Sequence, residues 1–125
     1  MYQLEKIGDN SFYFKAIGSL PPSIAEEAIE DFLKLTKDMP KFSAIIDLSD
    51  ARLIKFDSFK IIIEFFRKNE SKLIKTGIVI SENPPLDTEF DYILKQVKSA
   101  KRKIVSTLED AKNWIGIKEI IVQKE

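Results

Sequence analysis

The chain has 125 residues, with 20 Lys+Arg against 20 Asp+Glu, 44% hydrophobic residues, and neither Cys nor His. A chain of this size buries roughly two thirds of its unfolded surface without staples, and the missing thiols and imidazoles exclude disulfides, Cys or His catalysis, zinc fingers and haem ligation through His or Cys. No apolar run is longer than a triplet such as Ile61 to Ile63, far below the roughly 20 residues of a membrane span, and Met1 to Lys6 has no secretory leader pattern; a single domain over 1–125, cytoplasmic and without a membrane span, is expected.

Residues 2–7 and 11–18 flank Gly8-Asp9-Asn10 and read as a hairpin, with Phe12-Tyr13-Phe14 supplying strand-favouring side chains. Pro21-Pro22 ends it. Ser23-Ile24-Ala25-Glu26 fits a capping box, opening a helix whose apolar stripe is Ala25, Ala28, Ile29, Phe32 and Leu33 and which stops before Pro40. The mostly apolar run Phe42 to Leu48 suits a strand covered on both faces. A second helix is predicted from about Asp57-Ser58 to Lys72, a strand over Ile74–Ile80, and a third helix from about Leu86-Asp87-Thr88 after Pro84-Pro85. Arg102–Ser106 gives a further strand. Thr107 caps a last short helix with Ala111, Trp114 and Ile115 on its inner stripe, and Gly116 suits its left-handed end. Ile117–Val122 reads either as an edge strand or as a segment crossing a neighbour. The alternation of helix and strand predicts an α/β domain, an N-terminal β-hairpin followed by parallel strands in a mixed sheet with about four helices.

This order resembles the STAS domain in its SpoIIAA-like, anti-sigma-factor-antagonist branch. Ala44-Ile45-Ile46-Asp47-Leu48-Ser49-Asp50-Ala51 looks like the family's third strand and its exit, and Asp57-Ser58-Phe59-Lys60 stands where antagonists carry Asp-Ser-Ser/Thr-Gly. Ser106 to Trp114 resembles the terminal helix. The resemblance implies a non-enzymatic regulatory or protein-interaction module of bacterial type, working through the second helix and the loop before it. It also departs from the pattern: the phosphoacceptor position is Phe59 and the Gly position is Lys60. Ser58 is the one hydroxyl left there, read as a helix cap alone or with Asp57, and alternatively as a phosphoacceptor.

The second helix is too apolar for one face. Phe59, Ile61, Ile62, Ile63, Phe65 and Phe66 span about 200° at ~100° per residue, twice a one-sided stripe. Ile61 and Phe65 then need cover, from the adjacent helix or the chain's own C-terminus, or from a protein partner or a second copy in a homodimer. Asp47, Asp50 and Asp57 lie near a strand's carboxyl end, where magnesium is conceivable, though turn and cap roles account for them. Lys95, Lys98, Lys101, Arg102 and Lys103 form the one concentrated charge. They read as an anion-contacting patch or as a solvated helix end. Without interleaved aromatics or a glycine-rich loop the sequence predicts no nucleic acid partner and no cofactor. A second function is a small apolar-ligand carrier, since the SpoIIAA-like branch is grouped by fold with lipid-binding CRAL-TRIO domains; that reading requires a cavity. Enzymatic Asp or Lys chemistry is a third, for which no acid/base constellation emerges.

Overall fold

In a computed structural model that describes residues 2–54, 56–81 and 83–116, nine elements follow in chain order. They are β1 (Tyr2–Lys6), β2 (Ser11–Leu20), α1 (Pro22–Thr36), β3 (Phe42–Ile54), α2 (Phe56–Asn69), β4 (Leu73–Val79), α3 (Pro84–Val97), β5 (Arg102–Val105) and α4 (Leu108–Ile115). The strands form one sheet in the order β1-β2-β3-β4-β5, with β1 antiparallel to β2 and the others parallel. Because the parallel strands step in a single direction, crossovers of one hand place α1, α2 and α3 on the same face. Their inward residues Ala25, Ile62, Phe66, Leu86, Phe90 and Ile93 share a core with Ala16, Leu48 and Ile78 of the sheet. The opposite face carries α4, where Ala111 packs with Tyr13, Ile45, Val79 and Val105.

Period-two alternation explains this division. In β2, Phe12 joins the aromatic cluster under α1 while Tyr13 joins the α4 side. α4 settles directly on β4 because Gly77 has no side chain: a Cβ there would lie 3.0 Å from Ala111 Cβ. Trp114 Nε1–H locks the contact by donating to the Thr76 carbonyl at 3.0 Å.

Several boundaries differ from expectation. The proposed capping box is displaced, since Pro22 occupies the first helical position and the Pro21 carbonyl accepts from both Ile24 and Ala25; Ser23 lies inside the helix and makes no cap. Proline with its preset φ belongs at that position. α3 likewise starts at Pro84, and Asn83 Oδ1 caps it by accepting from Leu86 N–H. β3 runs on past Leu48 to Ile54, pairing with a β2 that itself continues to Leu20, through two register irregularities. α2 ends at Asn69, whose side chain donates to the Phe65 carbonyl, and not at Lys72. Leu33 is exposed, not part of the buried stripe. Thr107 and Gly116 bracket α4 as expected, with Thr107 Oγ1 accepting from Asp110 N–H and Gly116 at φ 83°. The segment Ile117–Val122 lies outside the described residues.

Candidate functional site

Between the sheet and the pair α1 and α2 lies an apolar cavity of about 100 Å³. Its origin is the size of the residues at the interface. α1 turns Ala25 and Ala28 inward, and β3 faces them with Ala44. At one end large rings meet edge to face: Phe32 lies 5.4 Å from Phe12, 5.0 Å from Phe42 and 5.7 Å from Phe65. Rings at one end and alanines in the middle leave a gap that neither helix nor sheet fills. The space is partly open, and so apolar a lining suits an apolar guest.

Asn69, Thr76 and Arg102 are the polar residues of the lining. Arg102 is buried: its Nη1–H donates to the Glu70 carboxylate, the Phe66 carbonyl accepts from Nη2 at 3.1 Å, and the guanidinium lies 4.3 Å from the Phe66 ring centroid. Burial lowers its pKa, against the pull of Glu70. Glu70 is in turn pushed up by burial, but the Ser99 hydroxyl, Arg102 and Lys101 outweigh this and hold it below the usual carboxylate range.

The residues singled out in the sequence do not gather at one surface. Ser58 is not a cap. α2 already begins at Phe56, and the Ser58 hydroxyl, 0% exposed, donates to the Leu20 carbonyl at 2.7 Å, tying the end of β2 to α2. Asp57 is exposed in the first turn. Ile61 and Phe65 are half-buried and packed on the core, and α1 supplies the cover that Phe65 needs through Phe32. The basic cluster is dispersed because alternate residues of β5 face opposite ways. Arg102 points into the α2 side, Lys103 Nζ lies 5.3 Å from the Trp114 ring on the α4 side, and Lys101 Nζ donates to the Glu70 carbonyl. Lys98 is exposed at the left-handed end of α3, with φ 56°. Arg102 and Lys103 therefore lie on opposite sides of the sheet.

On the α4 side of the sheet, Asp47 is buried and accepts from the Tyr13 hydroxyl and from both the hydroxyl and N–H of Ser49, while Asp50 pairs with Lys15 at 2.7 Å. Among the described residues no three acidic side chains are grouped to hold a metal ion. Burial raises the Asp47 pKa, but Ser49, Tyr13 and Lys15 together bring it below the usual carboxylate value; burial and the bond to Asp47 raise that of Tyr13. A folded-state pKa below the unfolded one stabilises the fold above the ordinary carboxylate range, and this is lost as pH falls through the folded value. Asp47→Asn is therefore expected to lower stability at neutral pH by about 1–3 kcal/mol and to flatten its decline in acid. Urea midpoints measured from neutral to acid pH check both effects.

Comparisons with known proteins bear on the fold. No family profile matches the sequence, and no curated protein sequence does. Among solved structures, the chain superposes on the anti-sigma factor antagonist SpoIIAA in its unphosphorylated form with a TM-score of 0.64 at 12% identity, over 93% of this chain and 98% of that one. The fold is SpoIIAA-like. An uncharacterised protein of the DUF3478 family from Shewanella loihica PV-4, also with a SpoIIAA-like fold, matches with a TM-score of 0.70 at 16% identity, over 92% of each chain. The mixed sheet and four helices expected from the alternation of elements are those of the SpoIIAA-like fold. Among the described residues no helix is long and apolar enough to cross a membrane. The sequence reading missed the cavity, although its signal was present in the inward alanines of the first helix between bulkier neighbours.

Proposed function

We propose that the protein is a non-enzymatic STAS-type module that binds a small apolar ligand between its sheet and α1 and α2. The observation that carries this reading is the apolar cavity of about 100 Å³ inside the helix–sheet core. The features behind a partner-binding face at α2 weigh less: Ser58 is closed off, Phe65 is covered by α1, and the basic residues are dispersed. A phosphoryl group on Ser58, with a charge of about −2, has no room until β2 and α2 separate.

Native mass spectrometry of protein purified from its own host tests the reading. A small-molecule increment that disappears on denaturation is expected. In Ala28→Leu, where three extra carbons enter the chamber, the increment is lost while the fold is retained. The bare mass for wild type removes the support.

A second reading, a protein partner, is favoured by Tyr92 of α3. It is 47% exposed, and its ring lies 6.1 Å from Phe59 near the start of α2. In the same spectra a protein-sized increment abolished by Tyr92→Asp would favour that surface.

A further inference from the structure

β1 is one edge of the sheet, and no described strand lies beyond it. Ile7 N–H donates to the Ser11 carbonyl at 2.8 Å, and the same antiparallel register sets Glu5 opposite Tyr13 and Gln3 opposite Lys15. Hydrogen-bonded pairs alternate along such a ladder, so Gln3, Glu5 and Ile7 turn their backbone groups to β2, while Tyr2, Leu4 and Lys6 turn theirs outward. The strand contains no proline, and its pairing with β2 has no bulge. A regular edge of this kind is a template for another strand. Side chains alternate as well. Leu4 packs on the aromatic cluster that includes Phe32 of α1, and the Tyr2 hydroxyl donates to Asp31, so Tyr2, Leu4 and Lys6 face α1. Gln3 and Glu5 face the other side. Lys6, Glu27 and Asp31 form no ion pair among the described residues.

We infer that β1 pairs antiparallel with β1 of a second copy of this chain, about a two-fold axis at Leu4. In this register Leu4 meets the second copy's Leu4 and Tyr2 meets the second copy's Lys6, so every outward N–H and C=O of the strand is paired. Gln3 stands opposite the second copy's Glu5, an amide donor against a carboxylate. The second copy's Lys6, beside Tyr2, reaches the acidic flank of α1, where Glu27 and Asp31 lie four apart on one side. The register centred on Glu5 instead sets like charges face to face, and the one centred on Gln3 leaves Lys6 without a partner. An apolar centre falls at the same axis. α1 connects the parallel strands β2 and β3, so it runs against them and in the direction of β1. From the contact of Tyr2 with Asp31, Leu4 is about 7 Å further along the strand, and Leu35, on the flank of Asp31, is about 6 Å further along the helix. Leu35, 46% exposed in the single chain, thus comes level with Leu4 and is covered by its own counterpart across the axis. None of these residues lines the cavity, so the dimer stands or falls apart from the ligand reading.

Sedimentation equilibrium of the full chain, from micromolar to millimolar concentration, is expected to show a reversible monomer–dimer equilibrium. Lys6→Pro removes an outward N–H and a cation but no bond to β2; it is expected to be monomeric with an unchanged far-UV circular dichroism spectrum. Lys6→Glu sets like charges at both ends of the interface and is expected to weaken the dimer roughly tenfold. Because the chain has no Cys, single thiols read the register. When Gln3→Cys and Glu5→Cys chains are mixed and oxidised, the mixed disulfide is expected in excess of either self-disulfide, since residues directly opposite come within the about 7 Å between Cα atoms that a disulfide spans. A wild type that stays monomeric overturns the inference. Protection of the Leu4 and Lys6 amides from exchange in that monomer would assign the edge to another segment. A dimer unaffected by both Lys6 variants overturns the surface, and an excess of the Glu5→Cys self-disulfide overturns the register. Should Lys6→Pro not fold, Lys6→Glu and the cross-link decide.

Discussion

Phe12→Ala is expected to lower stability by about 3–5 kcal/mol while widening the cavity. Phe12 is 1% exposed and holds its ring edge-on to Phe32 and Phe42. Removing it deletes most of a buried side chain's transfer energy. It also adds a void beside one that already exists, and the cost grows with the unfilled volume. Collapse of α1 onto the sheet is resisted by Phe32, which still rests on Phe42 and Phe65. The two consequences are separable: urea unfolding measures the loss, and a guest too large for the parent, such as an alkyl benzene, is expected to bind the variant and restore part of its stability.

Gly77→Val should cost about 1–3 kcal/mol or more through overpacking, from the sheet's other face. Its Cβ would meet Ala111 Cβ at 3.0 Å and Ala111 Cα at 3.1 Å, so a backbone atom blocks it and no side-chain rotation relieves the clash. α4 must lift, stretching the Trp114 bond to the Thr76 carbonyl. The milder Gly77→Ala is expected to regain stability when combined with Ala111→Gly, a coupling that marks direct contact. Thermal unfolding of the four combinations, with Trp114 fluorescence as a local readout, measures it.

Much of this architecture was legible in the residues. Alternation in Phe12-Tyr13-Phe14, the apolar runs of β3 and β4, and the cap at Thr107 each obey local rules, and the element order follows from them. Boundaries failed where a local signal had a competitor. Ser23 satisfies a capping pattern, but Pro22 takes the first position. Ser58 looks like a cap until its hydroxyl is found donating to Leu20, 38 positions away. Arg102 and Lys103 are neighbours in sequence, but the pleat sends one beneath α2 and the other towards Trp114. The surplus apolar surface of α2 was visible, but its solution was tertiary: α1 covers Phe65. The cavity was hardest to read because it consists of missing volume. Ala25, Ala28 and Ala44 each look ordinary, and their effect arises only when helix and strand face each other.

Xenon titration of the wild-type protein, followed through the methyl resonances of Ala25, Ala28, Ala44 and Ile62, tests the ligand site most directly, since xenon enters apolar cavities. Saturable shifts confined to methyls around the chamber, and abolished by Ala28→Leu, are expected. Shifts that are absent, that do not saturate, or that spread evenly over exposed methyls such as those of Leu33 and Leu35 would contradict the account.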